Sequence, residues 1–122
     1  MLQNTKTIKE VQTIVNNLII ENKDLMIDYT IEKLDCKTFD EVVAKSFTLG
    51  LDCGWAKVAF DGDAYDHIRN LHEEKYGYKN NAIFVPNVFG VQSVTVQRIA
   101  LEPIILLLAG MGINAYIDTV LD

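Results

Sequence analysis

The densest run of chemically capable side chains is "DGDAYDHIRNLHEE" at 61–74, with three aspartates, two histidines and two glutamates. A calcium loop of the EF-hand kind needs ligands at its first, third and fifth positions, glycine at the sixth and glutamate at the twelfth. Counted from Asp61, Asp63 is in place, but the fifth residue is Tyr65, the sixth Asp66 and the twelfth His72. The pattern does not make a calcium loop. His67 and His72 stand at i, i+5, which turns their imidazoles about 140° apart around a helix, whereas a zinc-binding pair on one helix uses i, i+4. Asp63 and His67 do have the i, i+4 spacing, where a carboxylate raises a histidine's pKa. The plain reading is a solvated helix with Asp63 as cap, Asp66 in its first turn, and carboxylates gathered at the positive end of its dipole.

Other constellations fare no better. Ser46, Ser93, Cys36 and Cys53 are the candidate nucleophiles, and none sits in a Gly-x-Ser-x-Gly elbow or in any comparable turn. The two cysteines form no Cys-x-x-Cys pair and are too few for a disulfide scaffold, so reduced, largely buried thiols are expected. "AGMGINAY" at 109–116 precedes a strand instead of opening a helix, the reverse of phosphate-loop logic. These observations predict no enzyme, no metal and no cofactor. One helix start remains attractive. Around Gly90-Val91-Gln92-Ser93 it is uncharged, with free N–H groups and the Gln92 and Ser93 side chains. Lys57 from an earlier strand and Arg98 from the helix itself are placed to supply positive charge. Lys57, Gln92, Ser93 and Arg98 are therefore the candidate site for a small anionic ligand.

Those residues need elements to hold them. Ile8, Val11, Val15, Leu18 and Ile19 make one stripe at helical spacing over 7–21, with Thr5 or Thr7 as a cap. Residues 25–34 alternate as a strand would (Leu25, Ile27, Tyr29, Ile31) yet also carry the helical stripe Ile27, Ile31, Leu34; their helical neighbours favour the helix. Thr38 with Glu41 is a capping box, followed by Phe39, Val42, Val43 and Phe47 as the buried face and by Gly50 as a stop. "GWAKVAF" at 54–60 reads as a strand, with Trp55, Lys57 and Ala59 facing away from Ala56, Val58 and Phe60. A helix over about 63–76 follows, ending before Gly77. "NAIFVPNVFG" at 81–90 is β-rich, with Pro86 at an edge or bulge. "VQSVTVQRI" is either a partner strand or the entry to a helix over about 95–110 capped by Ser93 or Thr95, and Pro103 bends that helix or delays its start. "INAYIDTVL" closes as a strand. The expected fold is α+β: N-terminal helices over 1–50, then a β-α-β-α-β unit over 54–122 with a sheet of about three strands, all in one domain of 122 residues.

Composition narrows the function. Hydrophobic residues make up 49% of the chain and charged residues 23%, which suits a folded core. A net charge of −6 opposes binding to nucleic acid. The greasiest run, Ile104–Ala109, is bounded by Pro103 and Gly110 and falls far short of the roughly 20 residues a spanning helix needs, so no membrane partner is expected. The opening "MLQNTKTIKEVQ" has no charged region followed by an apolar stretch, and a cytoplasmic protein is expected. The helix around Ile99–Leu108 is apolar nearly all round. Either the N-terminal helices cover its outer face or a second copy does, in which case Ile104, Leu107 and Leu108 would carry a homo-oligomer. Exposed aromatics, with Tyr76 and Tyr78 around Gly77 and Phe84 and Phe89 around Pro86, are anchors for a protein partner or lids of a small core.

The layout of residues 38–122 resembles that of small phage or mobile-element proteins. The shared features are the capping-box helix, the "CGWA" strand entry, a glycine-rich corner and a terminal strand ending in Leu121-Asp122. The resemblance implies a host-facing, non-enzymatic binding protein in the host cytoplasm that counters a bacterial defence system. It would do so by inhibiting a defence protein, where its acidity suits occupation of a nucleic-acid channel, or by sequestering a small signalling nucleotide at Gln92 and Ser93. A small structural or regulatory homo-oligomer is the alternative, and a small enzyme the least favoured. The inhibitor predicts a flat acidic or aromatic face, and the sequestering protein a deep pocket holding Lys57, Gln92 or Arg98.

Overall fold

The computed structural model describes residues 8–48, 52–60 and 82–121. The helix expected over 63–76 and the acidic run with His67 and His72 lie outside the described residues, as do the Thr5 and Thr7 caps, Gly50, Tyr76 and Tyr78. Three helices come first: α1 (Ile8–Glu21), α2 (Lys23–Lys33) and α3 (Phe39–Ser46). They are followed by β1 (Gly54–Phe60), β2 (Ala82–Phe84), α4 (Val94–Gly110) and β3 (Ala115–Leu121). The architecture is α+β, as the patterning predicts.

In α1 the stripe holds, with Val11, Val15 and Ile19 buried and Ile14 and Leu18 packed at its margins. The ambiguous stretch 25–34 falls within α2, where Met26 and Thr30, one turn apart, point into the core. Strand-like alternation loses because Leu25 then faces solvent without cost to the core. The buried Thr30 hydroxyl donates to the Met26 carbonyl at 2.7 Å, so no polar atom is left unpaired there. Asp35, with φ of 55°, turns the chain sharply out of α2 in a conformation that Asp tolerates better than most residues.

Thr38 caps α3, its Oγ1 accepting from the Glu41 amide at 3.1 Å. The Glu41 carboxylate accepts from the Lys37 amide, one residue upstream of the place a capping box assigns it. Phe47 corrects the expected buried face: α3 ends at Ser46, and Phe47, in the cap position, is 81% exposed. Phe39 from this helix stacks on Phe89 at 4.8 Å between centroids.

The sheet order is β2-β1-β3, with β1 antiparallel to both neighbours. β2 and β3 therefore run parallel to one another on either side of β1, and β2-α4-β3 is a split β-α-β crossover. Directly paired residues share a face. One face carries Ala56, Val58, Phe60, Ile83, Ala115 and Ile117, and it meets the helices. The other carries Trp55, Lys57, Ala59, Ala82, Phe84, Tyr116, Asp118 and Val120. β2 stops before Pro86, which has no N–H to offer a ladder.

α4 lies between β1 and β3 on one side and α2 on the other, with α1 and α3 alongside. Pro103 is buried inside this continuous helix and cannot donate to the Ile99 carbonyl. Ile104 and Leu108 are both 0% exposed, sealed within the chain's own core. They are thus removed from the predicted interface between copies, because a side chain fully enclosed by its own fold has no surface to offer. Leu107 is only partly buried, and Leu106, at 72% exposure, is the large apolar residue of this helix that faces out. No described helix is long and apolar enough to cross a membrane.

Candidate functional site

Ser93 caps α4. Its backbone is extended and its Oγ accepts from the Val96 amide at 3.3 Å, which decides between the strand and helix readings of 91–99 in favour of the helix. The helix start is not open, however. Asp52, the residue two before β1, reaches across so that its Oδ2 accepts from the Ser93 hydroxyl and from the Thr95 amide, both at 3.0 Å. The Val94 amide donates to the Asp52 carbonyl at 2.8 Å, and the Gln97 amide to the Ser93 carbonyl at 3.1 Å. The expectation of free N–H groups is corrected: the amides of residues 94 through 97 all have acceptors, and the anion at this dipole is the chain's own carboxylate. Hydrogen bonding from the Thr95 side chain holds the Asp52 carboxyl below the usual carboxylate range. The Thr95 amide, the Ser93 hydroxyl and Asp52's own backbone assist against the opposing effect of partial burial.

One turn further, Gln97 completes a polar knot. It is buried, its Oε1 accepts from the Ala56 amide at 2.9 Å, and its Nε2 donates to the carbonyls of Gly54 and Val91, each at 3.0 Å. The Gly54 amide in turn donates to the Gln92 carbonyl. The amide side chain is thus used up in tying the start of β1 to the segment leading into α4.

The four candidate ligand residues do not converge. Ser93 is buried and committed to Asp52 and Val96. Gln92 is exposed beside a cleft of about 450 Å³ between the end of α3 and residues 89–93, lined among others by Phe47, Cys53 and Phe89. Neither Lys57 nor Arg98 lines that cleft, and no other basic residue does among the described residues. Arg98 points to solvent from α4. Lys57 stands on the face of the sheet opposite the described helices, its Nζ 5.4 Å from the centroid of Phe84. Of the two thiols, Cys53 is exposed and Cys36 half-buried, and both are free. Among the described residues no group of three His, Cys, Asp or Glu side chains could hold a metal ion.

Lys57 instead belongs to a different surface. Along this face, Trp55 pairs with Val120, and Lys57 lies between Phe84 and Asp118. Trp55 and Phe84 are 6.2 Å apart between ring centroids, tilted by 41°. They are 37% and 63% exposed, whereas Ala59 and Ala82 at the other end of the face are buried. The result is an aromatic pair with a cation between strands of a stiff sheet. It holds no nucleophile, and its chemistry is that of contact: large flat apolar area, a cation–π pair, and opposite charges in register.

Asp52, Gln97 and Phe84's pairing with Lys57 went unread in the sequence. Gln97 carried a faint signal, as a lone amide among apolar positions one turn after a cap. Comparison with protein-family models, characterised proteins and solved structures finds no match to this chain.

Proposed function

We propose that this chain is a non-enzymatic binding protein that acts by occupying a surface of another protein, and that Trp55 and Phe84 anchor the contact. The exposed Trp55–Phe84 pair beside Lys57 is the observation that carries the reading. Aromatic side chains on a rigid element contribute large contact area with little entropy to lose, and they dominate the energetics of protein interfaces. Sequestration of a signalling nucleotide receives less support, because Asp52 fills the helix start and no described basic residue lines the cleft beside Gln92. Within this reading the partner is a defence protein of a bacterial host, blocked in the host cytoplasm by a phage- or mobile-element-encoded inhibitor whose charge of −6 competes with nucleic acid.

The test is protection. Bacteria carrying individual defence systems are challenged with phage while expressing the chain, and the defence component that co-purifies is then titrated against it. Trp55→Ala and Phe84→Ala should each weaken the complex by at least about tenfold, as interface anchors do. Gln92→Ala and Arg98→Ala should leave it unchanged. The opposite pattern would return the site to the start of α4.

A second reading, association of copies, is favoured by one observation, the 72% exposure of Leu106 on an otherwise well-packed helix. Native mass spectrometry separates the two, since a stable dimer that Leu106→Asp splits would make the homo-oligomer the primary state.

A further inference from the structure

A second surface lies on the helix side of the sheet. Between α2, α4 and β3 runs an open groove of about 410 Å³, lined by Tyr29, Glu102, Ile105, Leu106, Tyr116 and Ile117 among others. Its walls are apolar or aromatic, and Glu102 is the one carboxylate or basic side chain among the described residues of the lining. Glu102 Oε1 accepts from the Tyr29 hydroxyl at 2.6 Å. Its Oε2 accepts no bond from any described residue. The groove thus presents a half-used carboxylate with a phenol already fixing its orientation.

We propose that this groove receives an arginine or lysine side chain of a partner protein, with Glu102 as counter-ion and Tyr29, Leu106 and Ile117 as walls. Charge complementarity selects that occupant. A carboxylate flanked by apolar side chains attracts a cation more strongly than one in open water, and the net charge of −6 steers basic partners toward the whole molecule. The long methylene stem of Arg or Lys matches apolar walls while its head meets the acid. The Tyr29 ring adds a face for the cation. Arginine fits best, because its planar fork can bond the free oxygen of Glu102 and still lie against a ring. The groove is separate from the Trp55–Phe84 surface, so neither proposal stands or falls with the other.

The probe is a capped Leu-Arg-Leu tripeptide titrated into the full chain and followed by amide NMR. Its control is Leu-citrulline-Leu, which has the same shape without the charge. The arginine peptide should shift the amides of Tyr29, Glu102, Leu106 and residues 115–117, and bind about fivefold tighter than the citrulline peptide, the scale of a partly exposed ion pair. Glu102→Gln keeps an acceptor for Tyr29 and should erase the difference between peptides. Tyr29→Phe frees both oxygens and should keep it. Trp55→Ala should leave the titration unchanged. Equal affinity for the two peptides, shifts mapping elsewhere, or an unaltered preference in Glu102→Gln would overturn the proposal. So would a dimer at the working concentration that Leu106→Asp dissociates, since the groove would then be filled by a second copy.

Discussion

Asp52 does for α4 what a bound anion would otherwise do, and its titration should be visible in stability. Its carboxyl is held below the ordinary range in the folded chain, so the contribution is complete above the unfolded pKa and is lost as pH falls through the folded one. Asp52→Asn should therefore be less stable than wild type at neutral pH, by about 1 kcal/mol on the scale of helix caps, and the gap should close as acid is added. Urea melts of both proteins across the acid range test this; a gap independent of pH would show that the side chain acts by shape alone. Gln97 is the costlier residue to lose. Gln97→Leu takes the acceptor from the buried Ala56 amide and a donor from the Gly54 and Val91 carbonyls, of which Val91 keeps the Asn87 side-chain amide, and a loss of about 2 kcal/mol is expected. The midpoint should shift at unchanged denaturant slope. Ser93 was legible as a cap because its partner is three residues away. Asp52 was not, because its hydrogen bonds cross 41 to 43 residues and no spacing rule spans that gap.

Among the elements, β1 is the one most exposed to a single error. Gly54 begins it, and a Cβ built there runs into the Val120 carbonyl oxygen of β3. Gly54→Ala should cost about 1–3 kcal/mol, as overpacking against backbone does, and should first loosen the Gly54–Leu121 end of the ladder. Hydrogen exchange confined to residues 119–121 would confirm the location, and a stability equal to wild type would show that the strands can slide apart at no cost. Periodicity made the elements readable where one face is buried: α1, β1 and β3 lie within a residue or two of their expected bounds. It failed where a residue sits just past an element. Phe47 continues the apolar pattern of α3, yet the helix has ended and the ring swings into solvent. The antiparallel arrangement of β1 with both neighbours was also unreadable, because strand direction follows from the long connections and not from alternation within any strand.

For the molecule as a whole, the apolar C-terminal helix divides cleanly into inside and outside. Leu108→Asp places a charge in the core and should abolish cooperative unfolding, a loss of about 4 kcal/mol or more. Leu106→Asp, two residues away, should melt within a few degrees of wild type, since surface changes are usually worth about 0.5 kcal/mol or less. Circular dichroism melts of the pair check the division, and equal effects would place both side chains in the core. The split crossover has a further meaning for how the protein is made. β1 is the middle strand, yet both of its partners emerge from the ribosome after it, and β3, which pairs along its full length, emerges last. A nascent chain stopped short of residue 115 carries β1 with one whole edge unpaired, in the company of Trp55. Folding must then wait for contacts that are distant in sequence, which slows it and lengthens the time during which chaperones or other nascent chains can engage that edge.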